Sequence, residues 1–249
     1  MKRNQFFVLS VAMNSRPKLS LAWCSPEAAL FAVKRWHYSK SLPTPPLVKI
    51  GVWEDDIFIG VVLFGRGASP SLLKPYGLTQ IEGCELVRVA LNSHKASASK
   101  IISIAIKMLR KANPGLRLVV SYADRNQGHT GAIYQAGNWV YTGETAKSTQ
   151  YIDRTGRVWH ERQVSVSGVS TQYGSRRIGP RIKDCKRVEL LPKHRYIYPL
   201  DEQMRTSINH LQRPYPKRQK DSSEPLGEPV KKGRGSTDPD APNKIKAVA

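Results

Sequence analysis

The chain has 249 residues, of which 40% are hydrophobic, and its 40 lysines and arginines outnumber its 19 aspartates and glutamates. This is enough apolar material for a folded core, and the net charge of +21 indicates a polyanionic partner, with nucleic acid preferred over an anionic membrane surface. No stretch is long and apolar enough to span a bilayer. The three cysteines are widely spaced and form neither a C-x-x-C zinc pair nor a disulfide framework, so we expect a protein of the reducing cytoplasm.

The amino-terminal part predicts an extension, a helix and a hairpin. Residues 1–20 read as the extension, and a helix follows that is capped by Ser25 and carries Pro26 in its first turn. The prolines within residues 43–46 exclude a helix from the next loop. The segments KIGVW and FIGVVLFG then predict two strands that turn around residues 54–56.

The middle of the chain alternates strands and helices. Its order is the strand CELVRVALN, the amphipathic helix SASKIISIAIKMLRKA, the strand LRLVVSYAD, the short helix RNQGHTGAIYQAG and the strand NWVYTG. Because a helix separates the strands at residues 85–91 and 117–123, we expect these strands to be parallel neighbours, with a ligand site at their carboxyl ends. The whole order predicts an α/β fold, with a mixed sheet flanked by helices.

A basic segment precedes the last predicted strand, HRYIYPL. Residues 154–200 contain eleven basic and three acidic residues, and we place an insertion that grips double-stranded DNA at residues 146–193 of a catalytic domain spanning 21–204. The alternative is a merely solvated surface. Residues 205–249 are polar, rich in proline and mixed in charge, which predicts a disordered tail. The residues expected to contact DNA phosphates are Arg176, Arg177, Arg181, Lys183, Lys186 and Arg187.

Two side chains near the predicted ligand site are suited to proton transfer. Asp124 follows the second parallel strand, and Tyr134 lies on the short helix after it. A carboxylate accepts a proton from an amine, and a phenol donates one to a leaving group. The alternative is structural, with Tyr134 a core residue and Asp124 a helix cap. This region resembles the GNAT N-acyltransferase superfamily, whose pattern is matched by Asn126, Ala132, Ile133, Tyr134, Gly137 and Trp139.

Two further candidates come earlier in the chain. His37 ends the first helix beside Tyr38, where it fits a general base, a metal ligand or an ordinary helix-terminal cation. Arg88 lies on the first of the two parallel strands, where it either clamps an anionic group or pairs with Glu85 or Asp124. The residues alone leave these alternatives open.

Several motifs together resemble the Mom family of bacteriophage DNA-modification proteins over residues 25–200. They are RWHYSKSLPTP, CELVRVAL, SKIISI, VVSYAD, GHTGAIYQAGNW, HER and KHRYIYPL. The resemblance implies a GNAT-like, partly splayed sheet. It also implies an enzyme of the host cytoplasm that adds a carbamoylmethyl (acetamido) group to the 6-amino group of adenine in duplex DNA, which protects the DNA from restriction enzymes. The functional positions that it implies are His37, Tyr38, Arg88, Ser121, Asp124 and Tyr134.

The same resemblances imply two cofactors. Iron is associated with the Mom family, and the nearest set of ligands in this sequence is His37, Asp124 and His129. GNAT enzymes use an acyl donor such as acetyl-CoA, whose pyrophosphate is held by a glycine-rich loop; here that loop is NSHKASASK, which has no glycine. The residues expected to hold a donor are Arg88, Ser97, Ser99 and Lys100.

Other activities carry different motifs. An adenine methyltransferase would show a glycine-rich cofactor loop and an Asp/Asn-Pro-Pro-aromatic motif, and the sequence contains neither. Two alternatives remain. One is a GNAT enzyme that acetylates a protein or a small-molecule amine, and the other is a non-enzymatic DNA-binding protein.

Overall fold

Residues 17–67, 69–172 and 174–217 are described by a computed structural model of the chain. In this part the helices are α1 (Pro26–Trp36), α2 (Ala98–Ala112), α3 (Ala132–Gln135) and α4 (Glu202–Ile208). The strands are β1 (Leu19–Trp23), β2 (Leu47–Glu54), β3 (Ile57–Gly65), β4 (Gly83–Leu91), β5 (Leu118–Ala123), β6 (Val140–Glu144), β7 (Ser148–Ile152), β8 (Val158–His160), β9 (Val169–Gln172), β10 (Ser175–Ile178), β11 (Lys186–Leu190) and β12 (His194–Pro199).

Seven of these strands form one mixed sheet in the order β1-β2-β3-β4-β5-β12-β6. Neighbouring strands are antiparallel except β4 and β5, which are parallel and are connected through α2. The predicted α/β fold, with a mixed sheet flanked by helices, is therefore confirmed, and so is the parallel pair.

The two long helices begin where the sequence supplies a cap. Ser25 Oγ accepts a hydrogen bond from the Ala28 N–H at 3.2 Å, and Ser97 Oγ accepts one from the Lys100 N–H at 3.4 Å. Each cap satisfies an amide that the first turn of a helix leaves unpaired. α1 contributes to a cluster with Phe58, Val61, Leu63 and Ala90 of the sheet. α2 contributes to the main core through Ile101, Ile102, Ala105, Ile106 and Leu109.

The parallel pair opens into a cleft at its carboxyl end. Its ladder joins Gly83–Leu86 to Leu118–Ser121, whereas β4 continues to Leu91 and β5 to Ala123. The strands therefore separate beyond the last pair. Over its whole length β5 pairs instead with β12 on its other side.

A bulge in β4 lies at the start of this cleft. Phe64 of β3 pairs with Leu86, and the preceding Leu63 pairs with Arg88, so Val87 is an extra residue on β4. A bulge bends its strand and increases the local twist. It therefore turns β4 away from β5 and changes the direction in which Arg88 projects.

The basic insertion forms two small sheets between β6 and β12. β11, β7 and β8 make a three-stranded antiparallel sheet, and β9 and β10 make a hairpin. A bridge between Ser165 and Arg181 joins the segments that precede and follow this hairpin. All six predicted phosphate-contacting residues are exposed on the insertion, namely Arg176, Arg177, Arg181, Lys183, Lys186 and Arg187.

The folded chain continues past the predicted boundary at residue 205, which corrects the start of the predicted tail. Met204 and Ile208 of α4 are buried in the core, and the hydroxyl of Tyr215 donates to the carbonyl of Trp139 at 2.7 Å. These apolar side chains and this bond fix residues 205–217 to the sheet. The rest of the predicted tail, 218–249, lies outside the described residues.

The predicted amino-terminal extension is shorter than residues 1–20, because Leu19 and Ser20 belong to β1. Its first sixteen residues lie outside the described part. Among the residues that the structure describes, no helix has the length and apolar character needed to cross a membrane.

Candidate active site

Tyr134 lies where β4 and β5 separate. Its hydroxyl is 2.8 Å from Ser121 Oγ, and Ser121 Oγ is also 2.8 Å from the carbonyl oxygen of Leu86. Leu86 and Ser121 form the last pair of the parallel ladder. The serine side chain therefore bonds across the strands where the ladder ends, and it fixes the phenol at the apex of the cleft.

The ring of Tyr134 is held by aromatic packing. Gly131 precedes α3 with φ 84°, and a Cβ at this position would collide with the Tyr196 ring, so only glycine lets α3 sit this close. The Tyr134 ring centroid is 5.1 Å from that of Tyr196 and 5.0 Å from that of Trp139. Burial raises the pKa of Tyr134 to about 12, so the phenol keeps its proton at neutral pH.

The segment after α1 supplies the opposite wall. The Ser39 N–H donates to His37 Nδ1 at 3.1 Å, the Ser39 hydroxyl is 2.8 Å from the same nitrogen, and Arg88 Nε donates to Ser39 Oγ at 3.0 Å. His37 Nδ1 is thus an acceptor, which places the ring hydrogen on Nε2. Burial, together with the charges of Arg88, His129 and Lys40, lowers the pKa of His37 to about 4, so its ring is neutral at pH 7.

Tyr38 is the exposed aromatic surface of the cleft. It is 46% exposed, and its ring centroid lies 4.3 Å from that of His37 and 5.7 Å from that of His129. Partial burial and the nearby Asp124 carboxylate raise its pKa, against the opposing effect of Arg88. An exposed ring in this position is suited to stacking against a planar base.

Asp124 is engaged through both carboxylate oxygens. Oδ1 accepts hydrogen bonds from the backbone N–H and the side-chain amide of Asn126, each at 3.0 Å, and Oδ2 lies 3.3 Å from Lys193 Nζ. Burial on its own would raise the pKa of Asp124, but the Asn126 hydrogen bonds and the Lys193 ammonium lower it. Asp124 therefore caps the turn that follows β5, which is the structural alternative given for it above. Its role as a proton acceptor stays a prediction.

The cleft brings the predicted residues together from four parts of the chain. Tyr38 connects them, because its ring packs on His37 and His129 and it is close enough to Asp124 and Tyr134 to interact with them electrostatically. The catalytic roles of these residues stay predictions. The predicted side chains at the cleft are His37, Tyr38, Arg88, Ser121, Asp124, His129 and Tyr134.

The predicted metal ligands do not form a metal site. In the described part of the chain, no three histidine, cysteine, aspartate or glutamate side chains are grouped so that they could hold a metal ion. Ser39 engages Nδ1 of His37, and the Lys193 ammonium lies where a cation would approach Asp124. Iron therefore does not fit the set of His37, Asp124 and His129.

The loop before α2 is filled by a carboxylate of the chain itself. Glu54, which ends β2 and is 6% exposed, accepts hydrogen bonds from the N–H groups of Lys95 at 2.9 Å and Ala96 at 2.7 Å. Successive amides at a helix start form a binding site for phosphate. Glu54 occupies the amides of Lys95 and Ala96, so these two groups are not available to the pyrophosphate of coenzyme A.

The three residues predicted to hold a donor at α2 serve the start of the helix. Ser97 caps the Lys100 N–H, and the Ser99 hydroxyl donates to Ser97 Oγ at 3.3 Å. Their contact with a donor stays a prediction. The absence of glycine from the loop NSHKASASK predicts neither that Glu54 binds the amides of this loop nor that Ser97 and Ser99 serve the helix cap.

A cavity of about 800 Å³ lies beside Arg88, between the main sheet and the basic insertion. It is lined by Glu85 and Arg88 of β4, by the proline-containing loop after α1 and by His160, Arg162 and Gln163 of the insertion. The sequence indicated Glu85 only as a partner for Arg88. Gln163 was missed, because nothing in its local sequence connects it to β4.

The neutral state of His37 makes the stability of the protein depend on pH. The unfolded chain protonates this imidazole near its ordinary pKa of 6.5, whereas the folded protein resists protonation down to about pH 4. Between these values the unfolded state binds more protons, so stability is complete above pH 6.5 and falls as the pH decreases towards 4. We expect urea unfolding to show a loss of about 2 kcal/mol between pH 7 and pH 5 that His37→Gln removes.

The exposed His210 provides the control for this measurement. His210→Gln should keep the loss of stability between pH 7 and pH 5. An equal loss in the wild-type protein and His37→Gln would show that the imidazole of His37 is not protected from protonation.

The chain is similar to one protein family and to several solved acetyltransferases. Residues 18–217 match the Mom protein family. The methylcarbamoylase Mom of Escherichia phage Mu is 29% identical over 189 residues, which cover 73% of this chain and 76% of that protein.

An acetyltransferase of Bacillus subtilis, solved in complex with CoA, has 13% identity and a TM-score of 0.42 over 75% of this chain and 100% of its own. A variant of the spermidine N-acetyltransferase of Vibrio cholerae has 10% identity and a TM-score of 0.41 over 77% of this chain and 97% of its own. Because the family match spans most of the sequence, the chain belongs to the Mom protein family.

Proposed function

We propose that this protein transfers a carbamoylmethyl group to the 6-amino group of adenine in double-stranded DNA, and that the modification protects phage DNA from host restriction enzymes. The observation that carries the proposal is the cleft between β4 and β5, where Tyr134, Tyr38 and Arg88 are grouped beside a basic insertion. Membership of the Mom family supports a transferase, and the net charge of +21 supports a polyanionic substrate.

Access to the amino group requires the base to leave the duplex. In a duplex the adenine is paired and stacked, and its extrusion costs roughly a few kcal/mol. Contacts between DNA phosphates and the exposed cations of the insertion offset this cost. Tyr38 then offers a ring against which the extruded base stacks.

The transfer needs a donor that carries the carbamoylmethyl group on a leaving group. The lone pair of adenine N6 attacks the methylene carbon of the donor, the bond between that carbon and the leaving group breaks, and N6 loses one proton. Tyr134 gives a proton to the leaving group, Asp124 accepts the proton from N6, and Arg88 holds negative charge on the donor. A direct acyl transfer would attach a carbonyl carbon to N6, and the occupation of the loop before α2 by Glu54 supports a donor other than coenzyme A.

Nucleosides from the DNA of cells that express the full chain test this function. We expect mass spectrometry to find deoxyadenosine that is heavier by one carbamoylmethyl group, and the DNA to resist restriction enzymes whose sites contain adenine. Unmodified deoxyadenosine from cells that contain soluble protein would contradict the proposal. Acetylated amines in those cells would favour an N-acetyltransferase, and DNA binding without modification would favour a non-enzymatic DNA-binding protein.

A further inference from the structure

The cavity beside Arg88 is a binding site of a size suited to a nucleotide. Its volume of about 800 Å³ falls within the range of roughly 300–1,000 Å³ that is usual for small-molecule sites. One wall is β4, which also carries Arg88 into the catalytic cleft, and another wall is the insertion that bears the exposed arginines. A base extruded from DNA held by the insertion would therefore meet this cavity next to the cleft.

The insertion places an amide side chain, that of Gln163, in the lining of the cavity. The backbone N–H of His160 donates to Gln163 Oε1 at 2.9 Å, as one half of a capping box. A backbone N–H can only donate, so the oxygen of the amide is the atom at this contact. The NH₂ group of Gln163 is thus not used in this bond, and the residue lines the cavity.

The sheet presents a hydrogen-bond acceptor to the same cavity. Of the described residues that line it, Glu85 alone carries a carboxyl group. A carboxylate has about four sites for hydrogen-bond donors, so Glu85 can accept a ligand in addition to its protein contacts. It is also near enough to Tyr134 to add to the effect of burial in raising the pKa of that phenol. Glu85 lies on β4, the strand that borders both the cavity and the cleft.

We propose that this cavity receives the Watson–Crick edge of the extruded adenine while the ring stacks on Tyr38 in the adjoining cleft, with Glu85 accepting a hydrogen bond from one hydrogen of the 6-amino group and Gln163 donating one to N1. The inference rests on the proposed function and names the residues that select its substrate. Guanine carries an acceptor oxygen where adenine has the 6-amino group, and an N1–H where adenine has an acceptor nitrogen. Its oxygen would face the Glu85 carboxylate and its N1–H would face the NH₂ group of Gln163, so neither hydrogen bond can form. Cytosine shares the pattern of adenine, but its single ring fills less of the cavity. Arg66 and Arg162, which also line the cavity, supply positive charge for the phosphates beside the extruded nucleotide.

Short duplexes in which one central base faces an abasic site test this inference, because no base pair has to be broken. The central base is adenine, purine without the 6-amino group, or 1-deazaadenine, which lacks N1. We expect the full-length protein to bind the adenine duplex roughly tenfold more tightly than either of the other two. Glu85→Leu should lose the preference over purine and keep the preference over 1-deazaadenine. Gln163→Leu should do the reverse.

The exposed Glu189 of the insertion provides the charge-matched control. Glu189→Leu should keep both preferences, although it raises the net charge by the same amount as Glu85→Leu. Each variant tests one hydrogen bond, so the failure of one variant to fold leaves the other measurement decisive.

The outcomes separate this inference from the proposed function. Modified adenine in cells, together with a wild-type protein that binds the three duplexes equally, would reject the adenine-binding cavity alone. The inference would also be overturned by variants that keep both preferences. Unmodified adenine, together with preferences that the variants remove, would support the cavity and reject the chemistry.

Discussion

Replacing Tyr134 with phenylalanine is expected to reduce the amount of modified adenine at least about a hundredfold, the usual contribution of a positioned proton donor. Affinity for duplex DNA should stay unchanged, because the side chain is only 7% exposed and the substitution removes nothing but its hydroxyl. Mass spectrometry of deoxyadenosine from expressing cells measures the first quantity. Fluorescence anisotropy with a labelled duplex measures the second.

The neighbouring serine explains why the phenol, and not the ring alone, should matter. Ser121 Oγ has one hydrogen and two acceptors at 2.8 Å, the Leu86 carbonyl and the Tyr134 hydroxyl. When the serine donates to Leu86, the contact with Tyr134 requires the phenol as donor. When the serine instead donates to Tyr134, the phenol hydrogen is released for the leaving group, and the serine stabilises the phenolate that forms. Ser121→Ala should therefore reduce modification by only about tenfold, because the proton donor itself remains.

Tyr141→Phe is the matched control for this experiment. Tyr141 is also buried on the main sheet, and its hydroxyl lies 3.1 Å from His194 Nδ1. Both phenylalanine variants should lose about 1 kcal/mol of unfolding free energy, the usual contribution of one hydrogen bond. Only Tyr134→Phe should lose modification. A Tyr134→Phe protein with normal modification would make Tyr134 a core residue, as the structural alternative proposed.

The order of helices and strands could be predicted from local signals, but the buried faces could not be predicted completely. The spacing of apolar residues in α2 predicts a buried stripe through Ile101, Ile104, Ala105 and Met108. The buried residues are instead Ile101, Ile102, Ala105, Ile106 and Leu109. Because most positions in the middle of this helix are apolar, its sequence is compatible with two overlapping buried faces. The sheet that covers the helix selects one of them, and that choice depends on tertiary packing.

The residues of the cleft could be predicted, but their partners could not. His37 and Tyr134 are recognisable by residue type and by their places near the ends of helices, and Arg88 by its charge within a strand. Lys193, which pairs with Asp124, comes sixty-nine residues later and reaches it through β12. This lysine explains why a histidine–carboxylate pattern did not become a metal site. Glu54 likewise reaches the loop before α2 only because the sheet is folded, so the sequence indicated a missing phosphate site without showing what fills it.

The second large effect that we expect is on DNA binding, and it comes from the basic insertion. A triple variant with Arg176, Arg177 and Arg181 changed to alanine should weaken binding to duplex DNA about a hundredfold at low salt. It should also lower the slope of log affinity against log salt concentration by roughly 2 to 3, because each phosphate contact contributes about 0.9. These residues are exposed around the β9–β10 hairpin, and phosphate contacts carry no sequence information. The loss should therefore be the same for duplexes of different sequence, as anisotropy titrations at several salt concentrations would show.

A second triple variant separates the position of these charges from their number. Lys107, Arg110 and Lys111 are exposed on α2, and their replacement by alanine removes the same charge from another surface. It should change the affinity and the salt slope little. Equal losses in the two variants would show that binding follows net charge and that the insertion is not a dedicated DNA contact.

The salt dependence also distinguishes the two variants with the largest effects. The insertion variant keeps the Ser121–Tyr134 pair, so in a reaction with purified protein, DNA and cell extract as the source of donor, low salt should restore much of its adenine modification. Tyr134→Phe should bind DNA normally and stay inactive at every salt concentration, because the step it affects follows binding. If low salt restored Tyr134→Phe as well, the phenol would act in binding, and the cleft between β4 and β5 would be part of the DNA-contacting surface.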